Sequence, residues 1–170
     1  MLNKRVEKAL NDQIAKEAYA SNSYLAMASW CERKALRGCT SFFYTQSEEE
    51  RQHMLKLIKY VNDSAGEAKI PALVEPKQSY DSINNLFDIS LKQERDVTAS
   101  INNLVELAFS VKDHASYNFL QWYVSEQHEE ESLFKTILDL IHFAGNDNQS
   151  LLLLDIEIGK MHGASEAEKN

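Results

Sequence analysis

Glycine and proline are so sparse in this chain that long uninterrupted helices are the regular structure that fits most of it. Its 170 residues include five Gly and two Pro, and within the first 145 positions the breaks are Gly38, then Gly66 with Pro71 and Pro76, then Gly145. The intervals predict four helices, over residues 3–36, 40–64, 79–111 and 113–144, with Gly145 as the final stop. With 44% hydrophobic and 26% charged residues, the composition suits one all-α domain with a sizeable core.

The connections set the expected topology. The first is a short turn around Gly38, so the first two helices are expected to be antiparallel neighbours. The second runs over residues 65–78 through both prolines. A crossover of that length lets the second and third helices run parallel, which predicts up-down-down-up order. Beyond residues 146–150, the segment LLLLDIEIGKM is too short to be a stable helix alone and must pack against the bundle or a neighbouring subunit. The polar end GASEAEKN is expected to fray. The chain therefore divides into a bundle over residues 1–145 and a short C-terminal helix with a polar tail over residues 146–170.

A formal net charge of -8 and the absence of a basic cluster argue against a nucleic-acid partner and favour small cations. The opening MLNKRVEKAL has no apolar run, and no stretch approaches the ~20 apolar residues of a membrane span. No membrane partner is expected, and a cytoplasmic location is the default. Cys31 and Cys39 lack the spacing of a zinc knuckle or a redox pair and read as reduced packing thiols, with a redox or cross-linking role as the alternative.

The informative residues are those that interrupt the apolar stripes. The first helix offers Leu10, Ile14, Glu17, Ser21, Tyr24, Ala28 and Cys31, and the third offers Phe87, Leu91, Glu94, Thr98, Ile101, Val105 and Ala108. The second runs Phe43, Gln46, Glu50, His53, Leu57 and Tyr60. The fourth runs Phe119, Tyr123, Glu126, Glu130, Leu133, Ile137, Leu140 and Ala144. A buried carboxylate costs several kcal/mol unless it is paired or holds a cation, and converging carboxylates repel one another. A multivalent cation resolves both problems.

Glu50 and His53 form a Glu-x-x-His pair on one face, while Glu17, Glu94 and Glu130 are single core glutamates on the other three helices. That is close to the carboxylate-bridged di-iron pattern, which normally has two Glu-x-x-His pairs. The fourth helix instead carries Glu126, Gln127, His128, Glu129 and Glu130, so the second metal is expected to be oxygen-ligated and more loosely held. Such donors suit Fe(II), Mn(II) or Zn(II). Tyr24 reads either as a hydrogen-bond or electron donor near the metals or as an ordinary core aromatic. His114, His128, His142 and His162 lack ligand spacing and read as surface or capping residues, and Phe119, Trp122 and Tyr123 read as core aromatics.

With YNFLQWYVSEQHEEE over residues 117–131 and EEERQH over residues 48–53, the chain resembles the bacterial non-haem ferritins over nearly its whole length. The resemblance implies a ferritin-like four-helix bundle with one long crossover and a short fifth helix. It implies that Glu17, Glu50 and His53 hold a first iron, that Glu50, Glu94 and Glu130 hold a second, and that Glu50 bridges them with Gln127 beside the second. A third iron would lie against Glu49, Glu126, Glu129 and Glu130. Tyr24, Glu50 and Gln127 would then be the residues closest to the redox step. The resemblance further implies a hollow homo-oligomeric shell of 24 subunits that oxidises Fe(II) with dioxygen or hydrogen peroxide and stores a ferric mineral, with the C-terminal helix as an assembly element.

The haem-containing branch fits poorly, because the fourth helix lacks a second Glu-x-x-His and Gln52 stands where a haem-ligating Met is expected, with Met54 two positions on. No haem is therefore expected. Two rivals are a di-iron peroxidase or oxidase of a small substrate, which normally adds a Cys-rich iron domain, and a metal-free structural bundle, which should place Leu rather than Glu at positions 17, 50, 94 and 130.

Overall fold

The computed structural model describes residues 2–145 and 147–168, with the backbone alone for Asn148 and residues 162–168. Five helices follow one another: α1 (Lys4–Arg33), α2 (Arg37–Asp63), α3 (Ile83–Ser110), α4 (His114–Ala144) and α5 (Asn148–Glu168). Polar side chains start three of the four long helices. Asn3 Oδ1 accepts from the Arg5 amide, Ser82 Oγ from that of Asn85 and Asp113 Oδ1 from that of Ser116, each satisfying a first-turn N–H.

Three helices end in a left-handed residue that is not glycine: Ala35 at φ 60, Ala65 at φ 57 and Lys112 at φ 58. Backbone bonds close these ends, from Leu36 N to Cys31 O, Gly66 N to Val61 O and Asp113 N to Ala108 O. The first turn is thus Lys34–Leu36, and Gly38 lies inside the first turn of α2 instead of making the break. A different constraint explains that glycine: a Cβ at Gly38 would stand 1.7 Å from the Asp155 carbonyl oxygen of α5. Gly145 does end α4 in the left-handed region, at φ 80.

The core falls into two apolar clusters. One joins the C-terminal half of α1 (Tyr24, Met27), the start of α2 (Phe42, Phe43), the start of α3 (Leu86, Phe87) and the end of α4 (Phe134, Ile137), closed by Leu154 and Ile158 of α5. The other joins the start of α1 (Val6, Leu10), the end of α2 (Leu57, Val61), the end of α3 (Ile101, Leu104) and the start of α4 (Leu120, Tyr123). Those memberships make α2 and α3 parallel to each other and antiparallel to α1 and α4, the expected up-down-down-up order. The crossover lies along α1, bonded to Asn11 through Glu67 and Lys69 and, a bundle length away, to Arg33 through Gln78.

The buried stripes drift from strict heptad positions, as 3.6 residues per turn requires over long helices. On α4 the buried residues are Phe134 and Leu138, not Leu133 and Leu140, and on α3 Val97 and Leu104 take the places expected for Thr98 and Val105. The fifth helix also extends further than expected. Its backbone is helical through Glu168, and the Ala and Glu residues of the segment expected to fray favour that conformation; residues 169–170 lie outside the described residues.

Leu36 gives α2 no side-chain cap. Asp155, buried on α5, supplies it from a distance: its two carboxylate oxygens accept from the amides of Gly38 at 2.9 Å and Cys39 at 2.8 Å. The Gly38–Gly159 approach makes that cap possible. Cys31 and Cys39 are both free and fully buried in this end of the core, and the neighbouring Cys31 and burial together push the Cys39 thiol far up, which suits packing thiols. Gly38→Ala is expected to undock α5 while leaving α1–α4 folded. Limited proteolysis would then cleave within residues 146–168 at least ~10-fold faster than in the parent, with helical circular dichroism largely retained; equal protection would contradict this packing account.

Candidate metal centre

Between the two apolar clusters, where stacked hydrophobic side chains would be expected, the four long helices turn acidic side chains inward. Glu17 on α1, Glu50 and His53 on α2, Glu94 on α3, and Glu126, Gln127 and Glu130 on α4 are all buried. Oxygens of Glu17 and Glu50 and a ring nitrogen of His53 lie within 4.8 Å of one another, close enough for one ion to replace their mutual repulsion with shared attraction. Glu17 Oε2 and Glu130 Oε2 are buried without a hydrogen-bond partner among the described residues. An uncompensated buried acceptor costs ~1–3 kcal/mol, which a cation would remove.

The remaining oxygens are held in place. Gln13 Nε2 donates to Glu17 Oε1 at 2.8 Å. Tyr24, fully buried and stacked between Phe43 and Phe134, donates its hydroxyl to Glu94 Oε1. Gln127 Nε2 donates to Glu94 Oε2 at 3.1 Å and lies 3.3 Å from the Glu94 carbonyl oxygen. Of the two readings of Tyr24, the geometry places its hydroxyl directly on a carboxylate of the cluster.

His53 faces acid on both sides, with Nδ1 3.4 Å from Glu50 Oε2 and Nε2 3.7 Å from Glu126 Oε1. The Tyr123 hydroxyl donates to the His53 carbonyl oxygen at 2.8 Å. Trp122 departs from the core-aromatic expectation. It lies at the surface, 37% exposed, with its ring edge-on to His53 at 5.3 Å between centroids and Lys56 Nζ 3.2 Å above it. A cleft of about 590 Å3 between α2 and α4 reaches from this surface to His53 and Glu126.

Glu49, which lines that cleft, is half-buried, and Glu129 of α4 is exposed. Glu49 and Glu126 both act electrostatically on Glu130, so those three carboxylates share one neighbourhood. His114, His128 and His142 are exposed; the side chain of His162 lies outside the described residues.

The protonation pattern follows from burial. Loss of water raises Glu50 well above the ordinary carboxylate range, reinforced by the charge of Glu94. Burial likewise lifts Glu130, with Glu94 and Glu49 adding to it. Glu94 is pushed up to about 7 by burial, even though the Tyr24 and Gln127 donors work against the shift. Burial opposes a charge on His53, yet Glu126 and Glu50 outweigh it and raise the imidazole to about 11. Without a cation, protons hold this cluster together; a divalent ion would displace them.

Comparison with known proteins agrees with this architecture. The Ferritin-like domain family matches residues 7–144. The chain belongs to the ferritin family. A bacterial non-heme ferritin from Campylobacter jejuni is 44% identical over 155 residues, covering 91% of this chain and 93% of that protein. A probable bacterial non-heme ferritin-like protein from Haemophilus influenzae is 42% identical over 161 residues, covering 95% and 98%. The solved structure of an open-pore ferritin from Archaeoglobus fulgidus superposes with a TM-score of 0.91 at 38% identity, covering 94% of this chain and 98% of that one.

In this ferritin, stripe reading missed two neighbours of the acidic cluster. Gln13 was legible as an amide one helical turn before a core glutamate, whereas nothing in the sequence marks Trp122 as the cover of His53. The raised groups also give a pH dependence. Glu94 is raised from an unfolded value near 4.5 to about 7, so its contribution to metal-free stability is full below pH ~4.5 and lost as pH rises through ~7. His53, raised from 6.5 to about 11, contributes fully below pH ~6.5 and loses that contribution only gradually as pH rises towards ~11. A bound ion takes over from the lost proton. The gap in thermal midpoint between Zn(II)-loaded and metal-free protein is therefore expected to widen from pH 5 to pH 7.5; a constant gap would contradict the proton-for-metal exchange.

Proposed function

We propose that the chain is an iron-storage ferritin subunit that oxidises Fe(II) at a buried dinuclear centre with an adjacent third site and stores the product as a ferric mineral inside a hollow shell of like subunits. The observation that carries this reading is the convergence of Glu17, Glu50, His53, Glu94 and Glu130 from four helices into a layer sealed above and below by apolar clusters. The names of the related proteins, bacterial non-heme ferritins, support iron as the cargo.

In this reading Glu17, Glu50 and His53 bind the first Fe(II), and Glu50, Glu94 and Glu130 bind the second, with Glu50 shared. Two Fe(II) give up one electron each, and dioxygen takes both electrons and two protons to become hydrogen peroxide; peroxide in turn can serve as the oxidant. Gln127 and Tyr24 hold the two oxygens of Glu94 while charge builds on the metals, and Tyr24, in contact with that carboxylate, is placed to supply an electron. Glu49, Glu126, Glu129 and Glu130 receive a third ion on the side of the α2/α4 cleft, between the centre and the surface.

Assembly follows from α5. Residues 1–145 act as the iron-handling bundle, and the C-terminal helix presents Leu152, Leu153 and Ile156 outward, each more than a third exposed, for contact with other copies in a 24-subunit shell. Among the described residues no helix is long and apolar enough to cross a membrane, and a cytoplasmic location accords with that.

The test mixes metal-free protein anaerobically with two Fe(II) per subunit, admits air, and follows ferric absorbance alongside particle size. Rapid oxidation by a particle of several hundred kilodaltons is expected. Glu50→Ala should lower the initial rate by more than ~100-fold, because both irons lose their shared ligand, beyond the 10–100-fold typical of outer-shell changes. Glu129→Ala should leave that phase intact and alter uptake of the third ion. An unchanged initial rate in Glu50→Ala refutes the ligand assignment, and a small oligomer refutes the shell.

A further inference from the structure

We propose that Gln13 and Ser100 are positioning residues that aim Glu17 at the first iron, by fixing one carboxylate oxygen and leaving the other for the metal. The inference rests on the reading of Glu17 as a ligand. Ser100 Oγ of α3 donates to Gln13 Oε1 at 2.6 Å, and Gln13 Nε2 donates to Glu17 Oε1 at 2.8 Å. A chain of two hydrogen bonds thus crosses from α3 to α1 and ends on the carboxylate. The other oxygen, Glu17 Oε2, is buried with no hydrogen-bond partner among the described residues, and Glu17 belongs to the cluster whose ligand atoms lie within 4.8 Å of one another.

The chemistry sets the direction of the chain. A carboxylate accepts only, so the amide must turn its NH2 towards Glu17. That leaves Gln13 Oε1 facing α3, where it needs a donor, and the Ser100 hydroxyl is the donor it meets. Gln13 and Glu17 are each 1% exposed. Without the serine, the amide oxygen would be buried and unpaired, and the glutamine would lose the contact that fixes its rotamer. Without the glutamine, Glu17 would lose the one hydrogen bond that holds its carboxylate among the described residues and could turn either oxygen, or neither, towards the ion. A leucine at position 13 would satisfy the core as well as Leu10 or Ile14 does, so packing alone does not account for an amide here.

The arrangement also distinguishes the two metal positions. Glu94 has a donor on each oxygen, Tyr24 on one and Gln127 on the other, whereas Glu17 has one oxygen held and one free. Glu17 is therefore built to bind through a single oxygen, and the ion held by Glu17, Glu50 and His53 meets a site already aimed.

Co(II) titration of the assembled protein, followed by its visible absorption, tests this without relying on turnover. Gln13→Leu is expected to weaken the first Co(II) by about 10-fold and to change its ligand-field spectrum, with particle size and helical circular dichroism unchanged. Ser100→Ala should weaken it less, and Ser100→Thr, which keeps the hydroxyl, should restore the parent affinity. Parent-like affinity and spectrum in Gln13→Leu overturn the proposal, as does a Ser100→Thr variant that behaves like Ser100→Ala. A parent protein whose Co(II) uptake is unaffected by Glu17→Ala overturns the ligand reading itself, and this inference with it.

Discussion

Repulsion among buried carboxylates is the constraint on which the rest of the structure depends. Glu17, Glu50, Glu94, Glu126 and Glu130 meet in one layer of the core around a single imidazole. In a low-dielectric interior these groups cannot all ionise without a compensating cation, and protons compensate only partly. The apolar clusters above and below have to be rigid enough to hold the layer together in either state. The aromatic packing of Tyr24, Phe42, Phe43, Phe87 and Phe134 on one side and the Leu, Ile and Val packing around Leu10, Leu57 and Ile101 on the other supply that rigidity.

The layer is asymmetric. Among the described residues each side contains a buried oxygen without a partner, Glu17 Oε2 and Glu130 Oε2, but Glu17, Glu50 and His53 alone bring three ligand atoms within 4.8 Å of one another. On its other side Glu94 is already engaged by Tyr24 and Gln127. In the proposed reading, an ion arriving there would share Glu94 with two existing donors, which would make that position the weaker one. On that same reading, one firm and one yielding position would be a workable division, with the first organising the centre and the second exchanging. The cleft between α2 and α4, which reaches His53 and Glu126 beneath Trp122, lies where ions leaving the yielding side would meet further carboxylates.

Much of this was legible in the sequence because the signals were strong ones. Three breaker-free intervals, the last holding two helices, placed the four helices to within a few residues, and the length of the link through Pro71 and Pro76 indicated the parallel pair. Glutamates at core positions 17, 50, 94 and 130 marked the layer because nothing else explains acid on an apolar stripe. Other features depended on tertiary contact and left no local trace. Gly38 looked like a turn residue, yet its role is to admit the backbone of α5, while Ala35 makes the turn because backbone bonds hold it there. Leu133 and Leu140 fit a heptad on paper, but a 31-residue helix drifts past it. Trp122 reads as a core aromatic by its helical spacing and covers a histidine at the surface instead.

Asp155 ties the fifth helix into the same logic, since a carboxylate on α5 caps the start of α2 and α2 carries Glu50 and His53. The central claim remains the acidic layer, and anomalous X-ray diffraction at the iron edge from crystals loaded anaerobically with Fe(II) tests it most directly. The account predicts a peak in each subunit bounded by Glu17, Glu50 and His53 and a second bounded by Glu50, Glu94 and Glu130, with the first filling at lower iron. Iron found only at surface carboxylates, with the buried layer empty, would contradict it.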